Sequence, residues 1–156
     1  MEVEAVLAPM RAMGIEIVSK VALEYVTADR LRLRQVLRNL LSNALKHGEP
    51  PIAVTGRVER HRYVLAVTDS GPGVPAELEA RLFQRFIHQG RDPLLTGSVG
   101  LGLSIARLLV RRMGGALAYR HSEDLTTFSV ELPLWGDLEE AIGKEQEAEM
   151  ESLPVD

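Results

Sequence analysis

The sequence predicts one mixed α/β domain in which two long helices alternate with antiparallel strands. Apolar residues at helical spacing between positions 33 and 45 indicate the first helix, and a similar pattern over 100–112 indicates the second. Two segments between them, at 52–58 and 63–68, alternate like strands and are joined by a short charged turn. The chain has 156 residues, of which 46% are hydrophobic, so it is large enough for one domain with a buried core.

The composition excludes several classes of function. The chain has no cysteine, so it can form neither a disulfide nor a thiolate metal site. Its net charge of -4 argues against a nucleic-acid partner, and the longest basic cluster, residues 30–34, is typical of a solvated helix face. No apolar run approaches the roughly 20 residues that span a bilayer, and no signal-peptide pattern is present. We therefore expect a soluble domain without a membrane segment, and the absence of cysteine is compatible with a cytoplasmic location without requiring it.

The N-terminal third is predicted to contain a helix, a strand and the first long helix. Residues 3–13 have helix-like apolar spacing that Pro9 interrupts, and residues 14–18 alternate like a strand. Asp29 is a suitable N-cap for the long helix, and Gly48 ends it.

The rest of the chain surrounds a long irregular segment. Residues 84–99 have no periodicity and are rich in residues that break regular structure, so we interpret them as a mobile lid. The helices and strands predicted around the lid lie at 76–83, 100–112, 116–120 and 127–134. The Glu-rich residues 136–156 indicate a disordered tail or a solvated helix, which leaves 1–135 as the domain and 14–134 as its core.

Three polar side chains share one face of the first long helix. Asn39, Asn43 and Lys46 follow helical spacing, which places them together and away from the leucine stripe. Asn is a mediocre helix former, so this pair suggests side chains kept for their amide groups. An amide oxygen is a good ligand for Mg²⁺, and a lysine can bind a phosphate. A polar, solvated helix face explains the same residues equally well.

A carboxylate and two glycines follow the predicted hairpin. Asp69 precedes Gly71 and Gly73, which permit a tight turn and the close approach of a ligand to the backbone. In a closed pocket an acceptor-only carboxylate would favour adenine over guanine, because leaving it unpaired would cost about 1–3 kcal/mol. Taken alone, an ordinary Asp-Ser-Gly turn is the simpler reading. A dinucleotide fingerprint over 71–76 is a further alternative, although a polar segment stands where a third parallel strand should follow.

A second glycine-rich segment, residues 97–103, opens the second long helix. Backbone N–H groups and the positive end of the helix dipole would point out of the lid there, which is an arrangement that binds anions. Close packing alone also accounts for such glycines. Together, the three motifs supply what the metal, base and phosphates of ATP each require.

Four short segments occur in a characteristic order along the chain. They are residues 39–47 (NLLSNALKH), 69–73 (DSGPG), 82–86 (LFQRF) and 100–106 (GLGLSIA). They resemble the N, G1, F and G2 boxes of the Bergerat-type, or GHKL, ATP-binding domains of sensor histidine kinases in two-component systems. The resemblance implies a two-layer α/β sandwich, with a mixed, mostly antiparallel sheet packed against about three helices and ATP between the N-box helix and the lid.

The resemblance also implies a role for each matching residue. Asn43 would be the Mg²⁺ ligand, and Asn39 would be the polar residue nearest the transferring phosphoryl group. Lys46 would hold phosphate, His47 would pack beside the nucleotide, and Asp69 would accept a hydrogen bond from the adenine amino group. The other implied nucleotide contacts are Gly71, Gly73, Val74, Phe86, Ser98, Val99, Gly100, Leu101, Gly102, Leu103 and Thr126.

The lid departs from the family pattern at several positions. His88 stands where a basic residue commonly follows the F box, so Arg85 or Arg91 would supply the catalytic charge of the lid, and Arg85 is ranked first. Ser98 and Val99 replace a glycine and a small polar residue, and Leu125 replaces another glycine. We expect nucleotide binding to survive these changes.

The family's phosphoacceptor histidine has no counterpart here, since none of the four histidines has its flanking residues. We therefore expect a histidine-bearing dimerisation domain as the partner, with a response regulator acting downstream, and a monomeric chain. The chain would be either an excised catalytic domain, in some cases the cytoplasmic part of a membrane-associated sensor, or a stand-alone module. An anti-sigma-type serine kinase or another ATP-gated binding module of the superfamily is the alternative, although residues 100–110 read more like a sensor kinase.

Overall fold

The computed structural model describes residues 2–22, 24, 26–84 and 99–136, except for the side chains at positions 99 and 100. The helices are α1 Glu2–Ala12, α2 Arg30–His47, α3 Ala76–Glu79 and α4 Val99–Arg112. The strands are β1 Ile17–Val21, β2 Ile52–Glu59, β3 Arg62–Asp69, β4 Ala116–Ser122 and β5 Leu125–Pro133. Across these ranges, no helix is both long and apolar enough to cross a lipid bilayer. The predicted tail, and the predicted lid from residue 85 to residue 98, lie outside the described residues.

The five strands form one mixed sheet in the order β1-β2-β3-β5-β4. β1 runs parallel to β2, and the other neighbouring pairs are antiparallel. The strand that leads into the first glycine-rich turn, β3, is antiparallel to both of its neighbours, with Asp69 opposite Thr126. A dinucleotide-binding fold needs parallel strands around such a turn. The alternative reading of residues 71–76 as a dinucleotide fingerprint is therefore wrong.

One face of the sheet packs against α1, α2 and α4. Because side chains alternate between the two faces of a strand, every second residue of the central strands enters this layer. The core thus combines Leu7 of α1, Leu41 of α2, Val110 of α4, Leu65 of β3 and Val130 of β5, each no more than 1% exposed. The predicted two-layer sandwich, with a mixed, mostly antiparallel sheet packed against about three helices, is confirmed, and the four-residue α3 is a further helix among the described residues.

The predicted bounds of two elements, β1 and α3, differ most from the structure. The first strand begins at Ile17 because pairing with β2 begins there, whereas Gly14 lies in a turn after α1 with a φ of 83°. The helix predicted over 76–83 ends at Glu79. The backbone then continues in tight turns, in which the N–H of Leu82 donates to the carbonyl of Glu79, and the Leu82 side chain reaches the core.

The composition predicted that the basic cluster at the start of α2 is a solvated helix face, but two of its arginines form ion pairs. Arg30 and Arg34 both pair with the carboxylate of Glu2, at the start of α1. Arg34 is partly covered, with 32% of its side chain exposed. The pair of ion contacts, together with apolar packing, joins α1 to α2, and α1 continues without a break through Pro9.

The ends of the two long helices follow the sequence signals. The side chain of Asp29 accepts a hydrogen bond from the backbone N–H of Arg32 at 2.9 Å, and Gly48 ends α2. Gly114 follows α4 with a φ of 71°, a left-handed conformation that favours glycine.

Candidate functional site

Asp69, the last residue of β3, is the centre of the candidate site. It is only 2% exposed, and its Oδ1 accepts hydrogen bonds from the N–H of Gly71 at 2.7 Å and of Glu49 at 3.4 Å. Burial raises the pKa of the Asp69 carboxyl, whereas the two backbone donors and the nearby His121 oppose the rise. Oδ2 has no hydrogen-bond partner among the described residues. The site therefore holds one oxygen firmly and leaves the other as an acceptor for a donor from outside.

Three glycines fit closely around this carboxylate and its turn. A Cβ at Gly48 would lie 2.3 Å from Asp69 Cγ, and one at Gly71 would lie 2.8 Å from Asp69 Oδ1. Gly73 has a φ of 75°, and a Cβ there would lie 2.7 Å from the Tyr119 hydroxyl. Substitution at any of the three would displace the turn, so the glycines predicted at 71 and 73 have a geometric reason. Gly48 was predicted only as the end of α2.

The strands β4 and β5 hold the turn from the other side. The Thr126 hydroxyl donates to the carbonyl of Gly71 at 3.1 Å, and His121 Nδ1 lies 3.1 Å from the same hydroxyl. The N–H of Val74 donates to the Tyr119 hydroxyl at 2.8 Å. Thr126, which the family resemblance implies as a nucleotide contact, is 5% exposed and lies directly opposite Asp69 in the sheet.

Tyr119 and His121 are site residues that sequence reasoning missed. Leu117, Tyr119 and His121 are each two residues apart, so they share the side of β4 that faces the helices. This period of two was the only signal available in the sequence. The signal does not indicate which turn they would meet, because that depends on how β4, β5 and β3 are ordered in the sheet.

Asn39 joins α2 to α4. Its Oδ1 accepts from Gln35 Nε2 at 3.0 Å, and its Nδ2 donates to the carbonyl of Gly102 at 3.1 Å. The predicted N box and G2 box are therefore in direct contact through this amide. A Cβ at Gly102 would approach the Asn39 amide carbon no closer than 4.0 Å.

Asn43, one turn further along α2, has a buried side-chain oxygen without a hydrogen-bond partner among the described residues. An unpaired buried acceptor costs about 1–3 kcal/mol, so a group that supplies a positive partner would be stabilising there. A neutral amide oxygen is one of the hard ligands that Mg²⁺ accepts. Within the described ranges, no group of three or more His, Asp or Glu side chains could hold a metal by itself. A cation at Asn43 would therefore need further ligands, such as phosphate oxygens and water.

The remaining predicted residues differ in how they are placed. Lys46 and His47 are exposed on the last turn of α2. Leu101 is 49% exposed near the start of α4, whereas Leu103 is 1% exposed and packs in the core, so only its backbone could face a ligand. Val99 and Gly100 lie in the first turn of α4, and three predicted residues, Arg85, Phe86 and Ser98, lie outside the described residues.

Residues 28–136 match the model of a protein family described as histidine kinase-, DNA gyrase B- and HSP90-like ATPases. The chain belongs to this family. Among curated proteins, this chain is 40% identical over 119 residues to the probable sensor histidine kinase TcrY of Mycobacterium tuberculosis. That alignment covers 73% of this chain and 25% of TcrY. It is 38% identical over 135 residues to the virulence sensor protein BvgS of Bordetella bronchiseptica, covering 80% of this chain and 11% of BvgS. The chain thus spans a quarter or less of the length of these two relatives.

Solved structures agree with the family assignment. The catalytic domain of the histidine kinase ThkA superposes with a TM-score of 0.68 at 31% identity, covering 85% of this chain and 88% of that one. Full-length ShkA in complex with AMPPNP superposes with a TM-score of 0.69 at 32% identity, covering 85% of this chain and 29% of that one. The fold of this family member is that of histidine kinase catalytic domains.

Proposed function

We propose that this chain is the ATP-binding catalytic domain of a sensor histidine kinase, and that it binds Mg²⁺-ATP and donates the γ-phosphoryl group to a histidine on a separate domain. The observation that carries the proposal is the buried Asp69 carboxylate, whose Oδ1 is fixed by two backbone N–H groups while Oδ2 remains without a partner among the described residues. Membership of an ATPase family and likeness to an AMPPNP-bound kinase support it.

Asp69 would recognise the base. The exocyclic amine of adenine would donate to Oδ2, and this bond would offset part of the desolvation that raises the pKa of the carboxyl. Guanine presents a carbonyl at the equivalent position, which would repel the carboxylate. Thr126 and Gly71 would back the same edge, because the Thr126 hydroxyl already holds the Gly71 carbonyl in place.

The phosphates and the metal would lie along the polar face of α2, toward the start of α4. The buried, unpaired Oδ1 of Asn43 fits a magnesium ligand, and Lys46 would neutralise phosphate charge. The N-terminus of the 14-residue α4 would offer backbone N–H groups and the positive end of its dipole. Asn39 would hold the two helices in register through Gly102. Bound Mg²⁺-ATP would supply the phosphoryl group and the cation, so that the chain contributes mainly positioning and charge.

The acceptor would be a histidine-bearing dimerisation domain, and a response regulator would act after it. This part of the proposal rests on the relative TcrY, a probable sensor histidine kinase of which the alignment with this chain covers a quarter. A domain of this kind would work on the cytoplasmic side of such a sensor. An anti-sigma-type serine kinase or an ATP-gated binding module remains the alternative, and no observation of the fold favours it over the sensor kinase.

Calorimetric titration with ATP and GTP, with and without Mg²⁺, tests nucleotide binding. We expect Mg²⁺-dependent binding of ATP and not of GTP. Asp69→Asn should weaken ATP binding by about 10- to 150-fold, the equivalent of roughly 1.5–3 kcal/mol for a hydrogen bond to a charged group. Asn43→Ala should abolish the increase in ATP affinity that Mg²⁺ causes in the native chain. Glu77→Gln, at an exposed position on α3, is the matched control for the loss of one negative charge and should bind like the native chain.

Several outcomes would overturn the proposal. Absence of ATP binding by the native chain would exclude a nucleotide site, and equal affinity for GTP would exclude Asp69 as the base-recognising residue. Transfer is tested by incubating the chain and [γ-³²P]ATP with the histidine-bearing domain of a related sensor kinase. Acid-labile, alkali-stable label on that domain is expected, and label on serine instead would favour the serine-kinase alternative.

A further inference from the structure

We propose that His121 of β4 is a positioning residue for base recognition, which acts through Thr126 to hold the Gly71 turn and the Asp69 carboxylate in their binding geometry. The inference rests on the proposed nucleotide site. It assigns a role to a side chain that lies near Asp69 in space and far from it in the sequence.

The direction of the hydrogen bonds requires a proton on Nδ1 of His121. The Thr126 hydroxyl has one proton, and its contact with the Gly71 carbonyl requires that proton, because a carbonyl only accepts. The contact of 3.1 Å between Thr126 Oγ1 and His121 Nδ1 must therefore use a proton on Nδ1. His121 is thus either the neutral Nδ1–H tautomer or the imidazolium ion. The neutral tautomer protonated only on Nε2 is incompatible with this geometry.

The chain of contacts continues to the carboxylate. The Nδ1–H of His121 donates to Thr126 Oγ1, and the Thr126 hydroxyl donates to the carbonyl of Gly71. The N–H of Gly71 in turn donates to Asp69 Oδ1 at 2.7 Å. Gly71 is therefore held at both its donor and its acceptor, and successive hydrogen bonds of this kind polarise and strengthen one another. Loss of the His121 donor would leave the Thr126 hydroxyl free to rotate away from Gly71.

Packing and charge act in the same direction. A Cβ at Gly73 would lie 2.9 Å from the His121 ring, so the ring closes directly over the left-handed residue of the turn. The Tyr119 hydroxyl, on the same strand, accepts from the N–H of Val74. Burial raises the pKa of the Asp69 carboxyl, a positive charge on the nearby His121 would oppose that rise, and the negative charge of Glu49 adds to it.

Three variants test this role. His121→Ala should weaken ATP binding by about 3- to 10-fold, the loss expected for one neutral hydrogen bond. His121→Asn should restore most of the affinity, because Asn Nδ2 occupies the same branch of the side chain and can donate to Thr126. Arg120→Ala changes the exposed neighbour on the other face of β4 and should bind ATP like the native chain. Equal losses in the Ala and Asn variants, or no loss in either, would overturn the inference.

A measurement without nucleotide separates this inference from the proposed function. Nitrogen-15 NMR of the native chain reports which ring nitrogen of His121 carries the proton, and amide exchange reports the protection of the Gly71 N–H. Protonated Nδ1, and faster Gly71 exchange in His121→Ala but not in His121→Asn, are expected whether or not ATP binds. An Nε2–H tautomer at neutral pH, or unchanged exchange in His121→Ala, would overturn the positioning role. Failure of ATP binding by the native chain would instead overturn the proposed function.

Discussion

Gly102 is a position at which one substitution is expected to raise the stability of the fold and lower the affinity for ATP. It lies within α4, and a Cβ there would meet nothing closer than the Asn39 amide carbon at 4.0 Å among the described residues, an ordinary van der Waals contact. Packing against the described residues therefore does not require glycine at this position. A glycine in a helix costs about 0.5–1 kcal/mol relative to alanine, because it loses more backbone freedom on folding. We expect Gly102→Ala to raise the free energy of unfolding by about that amount.

For a chain of this length, the gain corresponds to a rise in Tm of roughly 1–4 °C, measurable by circular dichroism or scanning calorimetry without nucleotide. ATP affinity measured on the same samples should fall, since the backbone at 102 is proposed to approach the phosphates. Gly115→Ala is the matched control at the other end of α4. A Cβ there would lie 2.2 Å from the carbonyl oxygen of Glu131, so this variant should lose stability.

Destabilisation by Gly102→Ala would refute the packing argument, because it would show that the position has a steric requirement. A stabilised variant with native ATP affinity would refute the proximity of Gly102 to the phosphates and leave the helix argument intact.

Three further outcomes test the core and the buried ionisable groups, each by chemical denaturation. Leu41→Ala should lower the free energy of unfolding by about 2–5 kcal/mol because Leu41 is fully buried, whereas Leu31→Ala, at a side chain 74% exposed, should change it by less than about 0.5 kcal/mol. The raised pKa of Asp69 means that the folded state binds the carboxyl proton more tightly than the unfolded state does, so the free energy of unfolding should fall as pH rises from near 3.8 through the raised pKa. Asp69→Asn should make this fall shallower. An unchanged dependence of the free energy of unfolding on pH in that variant would contradict the prediction. Burial also raises the pKa of Tyr63 above 10.0, so the native chain should lose stability as pH rises through that raised value. Tyr63→Phe should abolish the alkaline loss, while costing about 0.5–1.5 kcal/mol at neutral pH through the missing bond to the Ala22 carbonyl.

Local signals were sufficient to predict the long helices. The N-cap at Asp29, the apolar stripe and the glycine at position 48 act within a few residues of one another, so α2 and its polar face could be predicted from the sequence alone. The same holds for the hairpin of β2 and β3, where alternation and a charged turn lie side by side in the chain. The order of the four short motifs at 39–47, 69–73, 82–86 and 100–106 was sufficient to predict the family, which the match to the family model confirms.

Only the tertiary structure decided the features that depend on residues distant in the sequence. β1 begins at Ile17 because its partner strand begins there, and strand pairing has no local signal that marks such a boundary. The same reason applies to the candidate site. The sequence alone determined that Asp69 and Gly71 form a turn, but the sheet order brought His121 and Tyr119 to that turn, and the end of α2 brought Gly48. Hydrogen bonds and close contacts act over a few ångströms in space, so their partners follow from topology rather than from spacing along the chain.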